Sequence, residues 1–214
     1  MQAKRKSYLT PEEYLALERQ SDTKSEYFDG EIYAMSGATR AHNIITTNVT
    51  TAFVTQLKGR RCEVYASDMR VKVQPTGLYT YPDVVIVCGQ VQLEDQRQDT
   101  LRNPTVLIEV LSPSTDDYDR GTKFAHYRTL ESLSDYLVIA QAEPLVEHYQ
   151  RQPDDKWLLT TYTALDAVVA VPSLSCDLLL AEVYDKVDWS EPDSQPYKLH
   201  RVKEEAEPYA DSPR

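Results

Sequence analysis

The chain has 214 residues, with 23 Lys plus Arg against 34 Asp plus Glu, so its formal net charge is −11 and its pI is about 4.8. This acidity argues against a protein that binds nucleic acid through a broad basic surface. Residues 1–7 are not followed by the apolar segment of a signal peptide, and no apolar run approaches the ~18 residues of a membrane span. The three cysteines are widely separated and form neither a disulfide framework nor a zinc pattern. We therefore expect a reduced, cytoplasmic protein.

Two local signals open the chain. The TPEE sequence at residues 10–13 has the pattern of a capping box with proline at the first helical position, and it predicts a short helix over residues 11–20. An Asp-Gly pair at residues 29–30 then separates two β-prone runs within residues 25–35. This pair predicts a hairpin with a tight turn.

The next segment, residues 41–58, is rich in Thr and Val but carries apolar side chains at helical spacing. We expect a helix here that ends at Gly59. Two short strands follow over residues 62–66 and 69–74, separated by a turn or bulge at residues 67–68.

Two near-continuous apolar runs, residues 82–88 and 104–111, have the composition of strands that are buried on both faces. The polar residues 89–103 between them indicate a surface excursion. A loop at residues 112–115 leads into a helix that we expect to begin at Asp116 or Asp117 and to end near Leu130.

The rest of the domain is predicted to be mainly β-structure. The run at residues 178–183 fits either a strand or a short helix, and the preceding β-like runs are residues 134–140, 145–150, 157–163 and 168–171. From residue 185 onward prolines and charges replace aliphatic side chains. We therefore expect one domain over residues 1–184 and an acidic, flexible or loosely docked tail over residues 185–214.

Each of the two apolar runs carries one carboxylate, Asp83 in the first and Glu109 in the second. A buried carboxylate without a partner is costly, so two on adjacent, parallel strands suggest a shared cation such as Mg²⁺. Taken singly, each has an ordinary explanation: Asp83 caps a turn, or Glu109 pairs with one Arg or Lys.

Lys123 is the third candidate. It shares a helix face with Tyr127, and it leans toward the sheet if Tyr127 and Leu130 pack inward. The competing interpretation is a surface lysine that pairs with Asp119.

These residues resemble the PD-(D/E)XK nuclease superfamily, and more closely the bacterial restriction-endonuclease-like proteins of the Uma-two type. The resemblance extends over most of residues 8–150. Its most specific stretch is PTVLIEVLSPST at residues 104–115, and it also includes Asp119, Lys123 and Tyr127 and the segments EYFDGE at 26–31, MS at 35–36, AHN at 41–43 and PDVVIV at 82–87.

The resemblance implies an α/β fold of the α+β type, with a central mixed β-sheet flanked by helices, an N-terminal helix and hairpin, and additional C-terminal strands. It also implies a metal-dependent endonuclease that hydrolyses DNA. Asp83, Glu109 and the backbone carbonyl of Val110 would hold Mg²⁺ or Mn²⁺. The superfamily lysine expected two residues after Glu109 is Leu111 here, and Lys123 is the candidate replacement.

Two accessory residues are open to two interpretations each. Glu26 is a third site carboxylate or an exposed strand residue. His42 lies near a helix N-terminus, which disfavours its charged form, and is either a neutral hydrogen-bonding or general-base group or a surface histidine. We also place Tyr27 near the site with Tyr127, whereas His126 and His148 have no partner that the sequence identifies.

Three functions follow. The first is the metal-dependent endonuclease, and the second is a catalytically degenerate nuclease-fold binding or oligomerisation module, which Leu111 and the acidity favour. The third is a metal-dependent hydrolase with another substrate.

By analogy with nucleases that cut both strands we expect a homodimer. Residues 185–214 account for −3 of the net charge and residues 1–184 for −8, so the acidity is not confined to the tail. We therefore expect weak, salt-sensitive, metal-dependent DNA binding at a local cleft, or no DNA binding.

Overall fold

The computed structural model describes residues 8–35, 37–112 and 116–190. Within these ranges the helices are α1 (Pro11–Glu18), α2 (Arg40–Gln56), α3 (Asp116–Tyr118), α4 (Phe124–Tyr127) and α5 (Leu180–Val183), and a π-helical turn, Asp119–Lys123, joins α3 to α4. The strands are β1 (Ser25–Phe28), β2 (Glu31–Ala34), β3 (Cys62–Ala66), β4 (Arg70–Val73), β5 (Leu78–Thr80), β6 (Val84–Cys88), β7 (Thr100–Leu101), β8 (Val106–Leu111), β9 (Asp135–Ala140), β10 (Val146–Arg151), β11 (Trp157–Tyr162), β12 (Val168–Val171) and β13 (Cys176–Leu179).

The described strands form three sheets. The first has the order β2-β1-β5-β4-β7, the second has the order β11-β10-β9-β8-β6-β3, and β12 pairs with β13. Both larger sheets are mixed, because β7 runs parallel to β4 and β9 runs parallel to β8 while the other pairs are antiparallel. This architecture confirms the predicted α+β fold with a central mixed sheet.

The N-terminal elements form for the local reasons that the sequence indicates. Thr10 and Glu13 exchange both hydrogen bonds of a capping box at the start of α1. Asp29 and Gly30 both adopt left-handed conformations, with φ of 47° and 79°, as the tight turn between β1 and β2 requires. The predicted helix and hairpin are therefore confirmed.

The central strands of the six-stranded sheet, β6, β8 and β9, are buried on both faces, as the two apolar runs predict for β6 and β8. Alternate residues of β6 and β8 point to opposite sides. One face packs against α2, β12, β13 and α5. The other face packs against β4, β5, β7 and α4, so the two larger sheets share a core. Glu109 lies on this second face, between Leu107 and Leu111.

The two runs that carry Asp83 and Glu109 are adjacent but antiparallel, so the expected parallel orientation is wrong. Val84 pairs with Ile108 and Ile86 pairs with Val106. A strand that is apolar on both faces fits either direction, and here the connection from β6 to β8 returns without the crossover helix that a parallel pair would need. That connection is also less exposed than expected, because it contains β7, whose two residues are buried.

The cysteines likewise differ from the expectation. Cys62 and Cys88 face each other across the β3–β6 pair and form a disulfide, whereas Cys176 is a buried free thiol. The cross-strand register brings the two together, and their separation in sequence gives no hint of it. None of the helices in the described part of the chain combines the length and the hydropathy that a bilayer crossing requires.

The C-terminal segments follow the predictions with one refinement. Residues 178–183 contain both alternatives, since β13 ends at Leu179 and α5 begins at Leu180. Residues 113–115 of the predicted loop, Ser36, and residues 191–214 of the tail lie outside the described residues. The domain boundary at residue 184 stays a prediction. Of the tail's first residues, Val187 packs against the core, and Trp189 donates a hydrogen bond to the carbonyl of Gln141.

Candidate active site

A cavity of about 690 Å³ opens where the β1–β2 hairpin, the start of α2, the ends of β6 and β8 and the π-helical turn meet. Four carboxylates line it: Glu26, Asp83, Glu109 and Asp119. Its cationic or imidazole groups are Lys24, His42, Lys123 and His126. The cavity therefore contains all the side chains that the sequence singles out for catalysis.

Lys123 is buried at the centre of this cluster. Its Nζ lies 2.9 Å from Glu109 Oε1, 3.1 Å from Glu26 Oε1 and 3.5 Å from Asp119 Oδ1. The pair with Asp119 exists, but both residues are buried, so Lys123 is not a surface lysine. Tyr127 packs inward one turn later, as the helix-face argument requires.

The π-helical turn supplies the local geometry for Lys123. The predicted helix begins at Asp116 as expected, but residues 119–123 form a wider turn before α4 begins. Such π-turns occur frequently at functional sites. Tyr136 anchors the turn by donating a 3.1 Å hydrogen bond to the carbonyl of Asp119.

Glu109 is held by two donors on one oxygen. Lys123 Nζ and the Tyr127 hydroxyl both contact Oε1, the latter at 2.7 Å. Glu26 is bound similarly, because the hydroxyl of Thr80 donates to the same oxygen that contacts Lys123. Glu26 is therefore a buried site carboxylate rather than an exposed strand residue.

Asp83 lies one residue before β6 and is fixed by two contacts. The backbone N–H of Val110 donates to Asp83 Oδ2 at 2.7 Å, and His42 Nε2 lies 3.1 Å from Asp83 Oδ1. Thr39 caps α2 by accepting a 3.1 Å hydrogen bond from the backbone of His42, which places the imidazole in the first turn of the helix. His42 is thus part of the cluster rather than a surface histidine.

The ionisation of the cluster follows from its excess of carboxylates. Burial raises the pKa of Glu109 well above its ordinary value, and the charges of Asp119 and Asp83 add to this although Lys123 opposes it. Burial would lower the pKa of the Lys123 ammonium, but Glu109 and Glu26 outweigh it and the pKa is raised. Glu109 therefore binds its proton more tightly than an exposed glutamate does.

The donor set fits a hard divalent cation held partly by water and substrate. Among the described residues, no three His, Cys, Asp or Glu side chains are grouped so that they could hold a metal ion. Asp83, Glu109 and Val110 all line the cavity. Mg²⁺ is commonly bound through one or two carboxylates, with waters and phosphate oxygens as its other ligands. The unbalanced buried negative charge favours such a cation.

Comparison with known proteins decides the family. The sequence model of the family described as "Uma2: Putative restriction endonuclease" matches residues 11–181. The chain belongs to the Uma2 family. This confirms the resemblance drawn from the sequence and extends it beyond residue 150.

Two cyanobacterial relatives support this membership. The chain is 39% identical over 158 residues to the uncharacterized protein slr1290 of Synechocystis sp., a match that covers 74% of this chain and 82% of that protein. It is 40% identical over 152 residues to the uncharacterized protein sll1609 of the same organism, covering 71% of this chain and 86% of the relative.

A solved structure shows the same fold. The crystal structure of a protein described as a putative nuclease belonging to DUF820, from Anabaena variabilis, superposes with a TM-score of 0.68 at 21% identity. The match covers 82% of this chain and 97% of that chain. The Uma2 chain therefore shares the fold of that protein, over nearly the whole length of the solved chain.

Sequence reasoning misplaced Tyr27 and missed Thr80. Tyr27 lies outside the cavity, in a cluster with Tyr14 and Tyr79. Thr80, which donates to Glu26, was missed because its role depends on the pairing of distant elements and no local sequence signal marks it.

The remaining histidines acquire partners from distant elements. His148 Nε2 lies 2.7 Å from Asp135 Oδ1 across the β9–β10 pair, away from the cavity. His126 lines the cavity, and its ring meets Phe28 edge-on at 4.7 Å. Burial lowers the pKa of His126.

Proposed function

We propose that this Uma2 protein is a Mg²⁺- or Mn²⁺-dependent endonuclease that hydrolyses phosphodiester bonds in DNA. The observation that supports it most directly is the burial of Lys123 against Glu109 and Glu26 in the cavity that also contains Asp83. Family membership and the nuclease-like fold agree with this function.

In this proposal Asp83, Glu109 and the carbonyl of Val110 hold the metal. When bound, the ion would polarise the scissile phosphate and lower the pKa of a bound water. The chain's own residues supply the other parts of the mechanism. The most important of these is the ammonium of Lys123, which is already in place next to the proposed metal ligands.

Lys123 supplies the charge that the superfamily lysine would provide from the position of Leu111. Its ammonium is held by carboxylates on three elements, so it requires little reorganisation when negative charge develops on the phosphate. The same group could orient the attacking water.

Glu26 and His42 have supporting roles in the proposal. Glu26 holds Lys123 together with Glu109, at 3.1 Å from the ammonium nitrogen. His42 is a positioning residue: a hydrogen bond from Nε2 would hold Asp83 Oδ1, while Oδ2 accepts from Val110.

The alternative function, an inactive binding or oligomerisation module, would be favoured by a Lys123 that points to solvent. Lys123 is instead 5% exposed and lies at the carboxylates. The homodimer stays a proposal, which sedimentation at micromolar concentration would test.

The test is cleavage of a supercoiled plasmid and of a circular single-stranded DNA with Mg²⁺, Mn²⁺ or EDTA. Asp83→Asn should lose activity by about 100-fold or more. Asp177→Asn, an exposed change on β13, should cut like the wild type. Calorimetry should show Mg²⁺ binding that Asp83→Asn abolishes. Cleavage that is equal in Asp83→Asn and wild type, or absent on both DNAs, would refute the proposal.

A further inference from the structure

The cavity has a second half that the proposed chemistry does not use. Beside the carboxylates its lining is aromatic and apolar, and it includes Phe28, Tyr33, Met35, Tyr118 and His126. Small-molecule sites typically combine such a wall with a few polar groups at one end, so this half is a candidate for the part of the substrate that is not phosphate.

The β1–β2 hairpin fixes the aromatic wall beside the charged cluster. Glu26 and Phe28 are two residues apart on β1 and point to the same face. Tyr33 is paired directly opposite Glu26 in the register of the hairpin, so its side chain emerges on this face as well. One rigid surface therefore carries both the carboxylate that holds Lys123 and two aromatic rings.

Both rings line the cavity and are only partly buried. Tyr33 is 40% exposed, and Phe28 is half-buried. His126 lies three residues after Lys123 on the same helical segment and meets the Phe28 ring at an interplanar angle of 69°. Nucleic-acid bases stack on aromatic side chains of this kind, largely irrespective of sequence.

The charges around the cavity do not fit a duplex bound along its backbone. Binding of duplex DNA depends on many Lys and Arg contacts to phosphates. Of the described residues that line the cavity, only Lys24 and Lys123 are Lys or Arg, against four carboxylates, and the whole chain carries −11.

We propose that the cavity accepts a single unpaired nucleotide of DNA, with its base against Phe28 and Tyr33 and its phosphate at the Asp83–Glu109 end. This inference rests on the proposed function, because it assigns the substrate of the same site. A base within an intact duplex is stacked and paired and cannot reach the wall unless it is extruded. The preferred substrate is therefore single-stranded.

The experiment measures binding rather than cleavage. Fluorescence anisotropy of a short labelled oligonucleotide, with Ca²⁺ in place of Mg²⁺ and a gel to confirm intact DNA, compares the single strand with its duplex. Unlabelled deoxythymidine monophosphate serves as a competitor that contains one nucleotide only. The variants are Phe28→Leu and Tyr33→Leu, which remove a ring but keep apolar volume, and the control Tyr162→Leu on β11, away from the cavity.

We expect the single strand to bind at least about 10-fold more tightly than the duplex and the mononucleotide to compete. Phe28→Leu should weaken binding by about 5- to 150-fold, the range for one base stacked on an aromatic side chain. Tyr162→Leu should leave it within about twofold. A plot of the logarithm of the affinity against the logarithm of the salt concentration should have a slope of about −0.7 to −1.4, equivalent to one or two phosphate contacts on a single strand.

Equal binding of duplex and single strand, or unchanged binding by both ring variants, would overturn the inference. Asp83-dependent cleavage would then leave the proposed function standing. Conversely, ring-dependent single-strand binding without any metal-dependent cleavage would retain the inference and refute the enzyme.

Discussion

Lys123 Nζ lies 2.9 Å from Glu109 Oε1, so the helical segment that follows β8 returns its ammonium to the carboxylate carried by that same strand. Both side chains are almost completely buried. Their pairing is the structural basis of the proposed site, and the following predictions test its parts.

Replacing Lys123 by methionine should lower the free energy of unfolding by about 3–5 kcal/mol at pH 7, because Glu26, Glu109 and Asp119 would lose the cation they share. Urea denaturation measures this. The control Lys24→Met removes a half-exposed lysine that pairs with the exposed Asp68 and should cost less than about 1 kcal/mol. A loss in Lys123→Met as small as in the control would show that the buried ammonium is not needed to balance the carboxylates.

Replacing Glu109 by glutamine should alter how stability depends on pH. The pKa of Glu109 is raised in the folded chain, so the folded state holds a proton that the unfolded chain releases at lower pH. The contribution of Glu109 to the wild-type free energy of unfolding is therefore fully present below the pKa of Glu109 in the unfolded chain. It falls as the pH rises to the pKa of Glu109 in the folded chain. Glu109→Gln lacks this loss, so its stability should rise relative to the wild type above about pH 4.5, by at most about 1.4 kcal/mol per pH unit.

Urea denaturation of both proteins between pH 5 and pH 8 tests this dependence. The whole of this range lies above the ordinary pKa of a glutamate. Glu182→Gln, on the exposed side of α5, provides the matched control and should stay within about 0.5 kcal/mol of the wild type. A difference between Glu109→Gln and wild type that does not change with pH would contradict the raised pKa.

Replacing Tyr127 by phenylalanine removes the 2.7 Å hydrogen bond to Glu109. We expect unfolding to become easier by about 1–3 kcal/mol. We also expect Mg²⁺ affinity, measured by calorimetry, to fall about 10- to 100-fold because a metal-binding carboxylate would lose its orienting partner. Tyr14→Phe removes a buried hydrogen bond to the carbonyl of Ser25. It should cost similar stability without changing Mg²⁺ affinity, and equal metal affinities in the two variants would argue against the orienting role.

The cysteine pairing predicts a thiol count. Unfolded without reductant, the chain should expose one reactive thiol, that of Cys176, because Cys62 and Cys88 are joined. After reduction it should expose all three. Titration with a chromogenic disulfide reagent measures both values, and three thiols before reduction would restore the sequence-based expectation of a fully reduced protein.

The sequence was sufficient for features encoded locally. The capping box at Thr10, the Asp29-Gly30 turn and the helix of residues 41–58 each depend on neighbours within one or two turns of chain, and all three are confirmed. The two carboxylates in apolar strands were also identifiable, since burial of charge requires a compensating partner wherever the strand is placed.

What could not be predicted depends on contacts between distant segments. An apolar run buried on both faces does not encode strand direction, which is why the β6–β8 orientation was wrong. The partners of Glu26 lie on β5 and on the π-helical turn, and Cys62 meets Cys88 only through the β3–β6 register. No local sequence pattern specifies these long-range contacts.

The cluster around Lys123 draws Glu26 from the five-stranded sheet and Glu109 from the six-stranded sheet. Residues nearly a hundred positions apart must therefore be brought together before the ammonium has its partners, and chains acquire such distant contacts late in folding. A chain in which the two sheets have not come together lacks the contact between Glu26 and Lys123. Under the proposed function, DNA cleavage therefore depends on the assembly of both sheets and not only on the local contacts of the helical segment.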